Sequence, residues 1–146
     1  MMGLFLENGP LRVREGKIYP AEESWADNYN IIYIDQPVGT GFSYGNDYLT
    51  DMKDGSKEFI RFFEIFYETY PDLKKNELYL TGESYGGKYL PLFTHDILET
   101  TDFNLVATMI SDPLPSPMYE RTEMHVLAAA HGIIDDKNLD QMALLE

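Results

Sequence analysis

The segment most informative about the fold is ELYLTGESYGGKYLP, residues 77–91. Residues 77–81 predict a short strand, residues 82–87 predict a tight turn, and a helix is expected from there to about residue 99. The turn sequence Gly82-Glu83-Ser84-Tyr85-Gly86 matches the pattern G-x-S-x-G. Between a strand and a helix, this pattern marks a nucleophile elbow, a sharp turn that exposes a serine hydroxyl at the edge of a sheet. Ser84 is therefore the predicted catalytic nucleophile.

The residues around Ser84 have expected roles of their own. Gly82 and Gly86 are expected to keep Cβ atoms out of the turn, so that Ser84 can hold a strained backbone, and Gly87 follows where the helix begins. The backbone N–H of Tyr85 is expected to point at the oxyanion that forms during attack on a carbonyl, helped by the positive end of the helix. A second oxyanion donor must come from elsewhere.

A serine nucleophile needs a general base, and histidine is the natural candidate. His95 lies on the same predicted helix as Ser84, about 16 Å along it at about 1.5 Å rise per residue, so it cannot reach the hydroxyl. His125 and His131 lie in or just after the last predicted helix. We interpret these histidines as surface or packing residues.

The rest of the chain alternates strands and helices. Apolar runs predict two further buried strands at residues 30–34 and 104–110. Apolar side chains at spacings of three and four predict a helix over about residues 51–70, and a last helix is expected over about residues 119–130. This alternation favours parallel pairing and an α/β layer architecture, with ligands at the edge where the carboxyl ends of the strands lie.

The charge and composition of the chain limit its partners. Its 25 acidic and 11 basic residues give a formal net charge of −14, which repels nucleic acid and anionic membrane surfaces. The absence of cysteine excludes disulfides and thiolate metal ligands, and no metal or cofactor is predicted. No stretch approaches the roughly 20 apolar residues of a membrane span, and the apolar run at residues 1–6 is too short for a signal peptide.

A glycine-rich loop at residues 39–45 raises the alternative of a phosphate-binding site. Glycines that follow a strand can cradle phosphate, and Gly39-Thr40-Gly41 follows the strand predicted at residues 30–34. However, no helix follows directly, and the Lys-Ser/Thr pair of a P-loop is absent. We therefore interpret this segment as a loop that shapes a substrate cleft.

The elbow sequence at residues 82–91 resembles that of the serine carboxypeptidase family, which typically reads G-E-S-Y-A/G-G followed by an aromatic residue and a proline. Five more segments are similar to that family in the same order: GLFLENGP at residues 3–10, SW at 24–25, DQPVGTGFSY at 35–44, DP at 112–113 and GIID at 132–135. The resemblance implies an α/β-hydrolase fold, with a mostly parallel sheet flanked by helices. It also implies release of C-terminal residues from peptides or proteins through an acyl-enzyme on Ser84.

The resemblance further implies that Glu83 and Glu7 hold the terminal carboxylate of the substrate. Two carboxyl groups and a substrate carboxylate repel one another in one cleft, so at least one glutamate should be protonated and donate a hydrogen bond. Activity at acidic pH would follow. The family is associated with lysosomes, vacuoles and secretion, which gives the expected location.

The chain also departs from the family pattern. The family's N-G-G-P-G-C segment, which supplies the second oxyanion donor, would precede Gly3, and its catalytic Asp and His lie far beyond the elbow. We therefore expect residues 1–146 to be the central piece of an α/β-hydrolase domain, without its N-terminal and C-terminal strands and inactive alone. The oligomeric state is left open.

Two alternatives stay open on the sequence. The chain could be a catalytically dead homologue that acts as a binding or regulatory module, since no base for Ser84 is identified. An acyltransferase or esterase on the same scaffold would share the elbow.

Overall fold

The computed structural model describes residues 1–120 and 122–145. The chain divides into two compact units, Met1–Asp51 and Met52–Glu146. Each unit has its own secondary structure and is described by itself. The expectation of one domain over residues 1–146 stays a prediction.

The first unit is built on a β-hairpin that the sequence did not predict. A short π-helical turn (Gly3–Glu7) leads into β1 (Leu11–Arg14), which pairs antiparallel with β2 (Lys17–Pro20). The connecting residues Glu15 and Gly16 have positive φ angles of 48° and 72°. A two-residue hairpin turn of type I′ requires this conformation at both central positions, and glycine supplies one of them without strain.

The strand predicted at residues 30–34 is wrong. These residues have no regular secondary structure, and the side chain of Ile32 is 40% exposed. An apolar run favours a strand, but a strand exists only where a neighbouring strand takes its backbone hydrogen bonds. Among the described residues of the first unit, β1 and β2 pair only with each other.

The second unit contains the predicted strand-helix-strand segment. β3 (Leu78–Glu83) and β4 (Leu105–Ser111) form a parallel pair, in which Glu83 lies opposite Ser111. A long helix connects the two strands, as a parallel pair requires. The structure confirms the strands predicted at residues 77–81 and 104–110.

One helix packs on this pair of strands, and a second helix packs on the first. α1 (Met52–Thr69) confirms the helix predicted at residues 51–70, and α2 (Gly86–Thr100) confirms the helix after the elbow. Phe59 of α1 stacks on Phe93 of α2 with ring centroids 4.3 Å apart. The buried core of the unit includes the cluster Leu80, Leu90, Phe93 and Ile97. The elbow is therefore attached directly to the core through β3 and α2.

The single helix predicted at residues 119–130 is wrong. Instead, the structure has α3 (Pro117–Glu120), α4 (Met124–Ala130) and an unpredicted α5 (Asp136–Ala143). The Thr122 hydroxyl donates a hydrogen bond of 3.0 Å to the carbonyl of Tyr119, which in a continuous helix would accept the N–H four residues later. The predicted span includes residue 121, which lies outside the described residues.

No helix among the described residues is both long enough and apolar enough to span a bilayer.

Candidate active site

Ser84 directly follows β3 and precedes α2, as the motif predicts. Its φ angle is +52°, in the left-handed region that a residue with a Cβ rarely adopts. Such a conformation costs about 1–3 kcal/mol and persists only where the surrounding structure enforces it. Ser84 is exposed at the carboxyl end of the parallel pair. This combination of strain and exposure is the backbone geometry of a nucleophile elbow.

Three backbone hydrogen bonds hold Ser84 in this conformation. Its N–H donates to the carbonyl of Ser111 at the end of β4, over 3.1 Å. Its carbonyl accepts from the N–H groups of Gly87 and Leu114, each over 2.9 Å. Both backbone polar groups of Ser84 are thus satisfied, and two of the three bonds come from the segment at the end of β4. The elbow is fixed by its neighbour strand as well as by its own turn.

The glycines of the elbow differ in the space around them. At Gly87, a Cβ atom would lie 2.6 Å from the backbone nitrogen of Leu114 and 2.7 Å from Cβ of Pro113. At Gly82 it would lie 2.8 Å from Cδ1 of Leu90. At Gly86 it would meet nothing within 4 Å, so the expected steric role of this glycine is wrong. Close approach of the segment after β4 makes Gly87 the most constrained of the three.

Tyr85 lies at the N-cap of α2. Its backbone N–H has no hydrogen-bond partner within the described part of the chain, in line with the unpaired donors at the start of any helix. A free N–H next to the nucleophile, at the positive end of a helix, can bind an oxyanion. The oxyanion role of Tyr85 remains a prediction.

The side chain of Tyr85 begins an aromatic column that runs from the elbow into the core. Its ring centroid lies 5.0 Å from that of Tyr89, which lies 5.8 Å from that of Phe93. Burial raises the pKa of Tyr89, and the neighbouring Tyr85 adds to this rise. Lys88 Nζ lies 5.6 Å from the centre of the Tyr85 ring, so a cation faces the exposed end of the column.

Ser111 and Asp112 are neighbours of Ser84 that were not predicted as site residues. Asp112 has a positive φ of 41°, and the Ser111 hydroxyl donates a hydrogen bond of 2.9 Å to its carboxylate. Both side chains are exposed. The available signal was their position directly at the carboxyl end of a parallel strand, where ligand-binding residues gather.

The two glutamates predicted to bind the substrate carboxylate lie in different units. Glu83 is the last residue of β3, immediately before Ser84, and it is exposed. Glu7 is the last residue of the π-helical turn in the first unit and is also exposed. Their joint role in carboxylate binding stays a prediction.

The hydrogen bonds of two histidines lead away from Ser84. His95 is 69% exposed on α2, and its Nδ1 lies 3.0 Å from the carboxylate of Asp96. His131 Nδ1 lies 3.0 Å from the carbonyl of Leu127. His125 lies on α4. Both hydrogen bonds serve local structure, and neither histidine is positioned by them as a base for Ser84.

The pKa of Asp96 is lowered by its surroundings. The main cause is the hydroxyl of Ser56, and the second is His95. Ser56 is fully buried, yet its hydroxyl has no partner within ordinary hydrogen-bond geometry among the described residues. We therefore attribute the effect to the proximity of the hydroxyl dipole to the carboxylate.

The glycine-rich loop of the first unit closes on an acidic side chain. The carboxylate of Asp35 accepts a hydrogen bond of 2.9 Å from the N–H of Phe42. Gly41, with a positive φ of 53°, passes so close to Asp35 that a Cβ atom would overlap its carboxylate. A carboxylate therefore lies against the backbone where a phosphate would have to bind. Within residues 1–120 and 122–145, no cluster of His, Asp or Glu could hold a metal ion.

The comparisons with known proteins agree with this geometry. The profile of the family described as serine carboxypeptidase matches residues 1–144. The chain belongs to the serine carboxypeptidase family. This finding confirms the resemblance predicted from the elbow and the five further segments.

Similar proteins include carboxypeptidases of fungi and of an insect. The chain is 36% identical to a pheromone-processing carboxypeptidase KEX1 of Debaryomyces hansenii over 147 residues, covering 94% of this chain and 22% of that protein. It is 39% identical to the venom serine carboxypeptidase of Apis mellifera, covering 94% of this chain and 27% of that protein. The chain thus spans about a fifth to a quarter of the length of these relatives.

A solved structure shows the fold. The crystal structure of Kex1(delta)p, a prohormone-processing carboxypeptidase from Saccharomyces cerevisiae, matches with a TM-score of 0.87 and 31% identity. The match covers 94% of this chain and 32% of that one. It confirms the predicted α/β-hydrolase fold, of which these residues form a part.

Proposed function

We propose that the protein to which residues 1–146 belong is a serine carboxypeptidase, which releases C-terminal residues from peptides through an acyl-enzyme on Ser84. The observation that carries the proposal is the backbone of Ser84, exposed between β3 and α2 at a φ of +52°. Membership in the serine carboxypeptidase family supports the same reaction class.

In the proposed reaction, the Ser84 hydroxyl attacks the carbonyl carbon of the last peptide bond while a base accepts its proton. The oxyanion that forms accepts a hydrogen bond from the Tyr85 N–H, which has no partner among the described residues. Collapse breaks the peptide bond, and the departing amino group takes the proton from the base. Water then attacks the ester on Ser84, which releases the shortened peptide and restores the hydroxyl.

The base and its carboxylate partner are proposed to come from parts of the protein outside residues 1–146. Two observations support this. The chain covers 22% and 27% of the lengths of two relatives, which are therefore about four to five times as long as the chain. Within the chain, His95 and His131 bind Asp96 and Leu127 instead of Ser84.

Specificity for the C-terminus is proposed to come from Glu83 and Glu7. A protonated glutamate donates a hydrogen bond to the substrate carboxylate, whereas an ionised one repels it. The protein should therefore work best in acid, which suits a lysosomal, vacuolar or secreted enzyme. The position of Glu83 next to Ser84 supports this role.

The proposal is tested by incubating the purified natural protein with a blocked peptide and following its products by mass spectrometry. We expect residues to leave one at a time from the C-terminus, with no product from the same peptide amidated at its C-terminus. Ser84→Ala should abolish release, and Thr69→Ala, which removes a hydroxyl at the end of α1, should retain it. Binding without cleavage would favour a regulatory module, and turnover of esters alone would favour an esterase.

A further inference from the structure

The guanidinium group of Arg12 is bound by three backbone carbonyls of the segment that carries Glu7. Arg12 Nη1 donates to the carbonyls of Gly9, over 2.7 Å, and Leu11, over 3.0 Å. Arg12 Nη2 donates to the carbonyl of Glu7 over 2.7 Å. The planar guanidinium group thus connects the end of the π-helical turn with the start of β1. Two of its three hydrogen bonds fall at the short end of the normal range.

The positive charge of Arg12 is not neutralised by a carboxylate. Arg12 makes no ion pair with any described residue, although the side chain is partly buried. Carbonyl groups satisfy its N–H donors but leave its charge in place. Arg14, two residues along the same strand, is exposed.

The rest of the turn is fixed by neutral groups. The Tyr33 hydroxyl donates to the side-chain oxygen of Asn8 over 2.7 Å, and the backbone carbonyl of Asn8 accepts from the N–H of Trp25 over 3.0 Å. Burial raises the pKa of Tyr33, the charge of Arg12 opposes this rise, and Glu7 adds to it. The charges of Arg12 and Glu7 both act on Tyr33, so these three side chains lie near one another. Arg12 is the positively charged group among them.

We propose that Arg12 is a positioning residue, which holds Glu7 in place to bind the terminal carboxylate of the substrate. This inference rests on the proposed function of Glu7. A binding group must be held within a fraction of an ångström of its productive position by its supporting contacts. The fork of Arg12 does this for the backbone of Glu7 itself, through the hydrogen bond from Nη2 to the Glu7 carbonyl.

The test uses the natural protein carrying Arg12→Ala, Arg12→Lys or Arg14→Ala, the last being the matched control for loss of one positive charge from β1. Kinetics are measured on a peptide ester whose leaving group is a hydroxy acid with a free carboxylate, and on the corresponding ester with a neutral alcohol. We expect Arg12→Ala to raise KM for the carboxylate substrate about tenfold, the loss of one well-placed hydrogen bond. The kcat for that substrate and all constants for the neutral ester should change less than about twofold.

Arg12→Lys should give an intermediate KM, because an ammonium group cannot span three carbonyls. Arg14→Ala should match the wild type. An equal loss on both substrates would overturn the inference, because it would indicate a purely structural role. An unchanged KM in Arg12→Ala would overturn it as well.

If Arg12→Ala does not fold, Arg12→Lys decides the question by the same comparison of the two esters. A wild-type enzyme that shows no preference for the free carboxylate would contradict the proposed function and, with it, the inference. A wild type with that preference, together with an Arg12 variant that keeps it in full, would contradict the inference alone.

Discussion

The backbone N–H of Leu114 donates a hydrogen bond of 2.9 Å to the carbonyl oxygen of Ser84. This bond ties the strained elbow to the segment that follows β4. The strain at Ser84, with its φ of +52°, is therefore supported by a contact that forms only when the second strand is in place. The elbow depends on the tertiary structure of the unit as well as on the local sequence.

The first prediction concerns Gly87. A methyl group on Gly87 would lie 2.6 Å from the nitrogen of Leu114, so Gly87→Ala must displace the segment that holds Ser84. We expect it to lower the free energy of unfolding by about 1–3 kcal/mol, the usual cost of overpacking, and to slow reaction of Ser84 with active-site probes. Denaturant unfolding and labelling rates measure the two effects.

The matched control is Gly86→Ala. A Cβ atom at Gly86 meets nothing within 4 Å, and alanine favours helix more than glycine does. Its stability should differ from that of the wild type by less than about 1 kcal/mol. Equal destabilisation by the two substitutions would show that the contact between Gly87 and Leu114 is not what constrains the elbow.

The second prediction concerns the pH dependence of substrate binding. If Glu83 binds the substrate carboxylate only when protonated, KM should be lowest in acid and should rise as the pH is raised. A glutamine donates a hydrogen bond at any pH, so Glu83→Gln should reduce this rise. Glu77→Gln, in the segment before the same strand, is the control and should keep the wild-type slope. A slope unaffected by Glu83→Gln would exclude this role.

The third prediction concerns stability in acid. The pKa of Asp96 is lowered in the folded state by the Ser56 hydroxyl and by His95. Its ionised form therefore stabilises the fold above the unfolded-state pKa, about 4, and this contribution is lost as the pH falls through the lower folded-state pKa. Asp96→Asn should be less stable than the wild type at neutral pH, and the difference should shrink in acid.

Thermal unfolding from neutral pH to about pH 3 measures this difference. The control is Asp102→Asn. The Asp102 carboxylate is 78% exposed and pairs with Lys74 at the surface, so its removal should have little effect on the unfolding temperature. A destabilisation by Asp96→Asn that stays constant down to low pH would contradict the assignment.

The sequence predicted the elements whose signal is local. The helix at residues 51–70 could be predicted because its aromatic side chains repeat at the helical period. Members of this set, such as Phe63, are buried in the structure. The position of Ser84 was readable because G-x-S-x-G describes one tight turn between a strand and a helix. The hairpin turn at Glu15 and Gly16 was missed, since it lacks the Asn-Gly or Asp-Gly pair that usually announces it.

The features that could not be predicted from the sequence depend on contacts with other segments of the chain. Residues 30–34 have the composition of a strand, but no described strand of their unit pairs with them. The importance of Gly87 over Gly86 follows from the approach of Leu114, which no local pattern encodes. The contacts of Arg12 with three carbonyls likewise exist only once the turn at residues 7–11 has formed.

Ser84 is expected to be an activated nucleophile in the natural protein. This expectation is tested most directly by treating that protein with a fluorophosphonate probe and mapping the adduct by peptide mass spectrometry. We predict a single adduct on Ser84, absent from a folded Ser84→Ala variant and present in Thr69→Ala. Lack of labelling at Ser84 in the folded natural protein, or equal labelling of Ser84→Ala, would contradict this expectation.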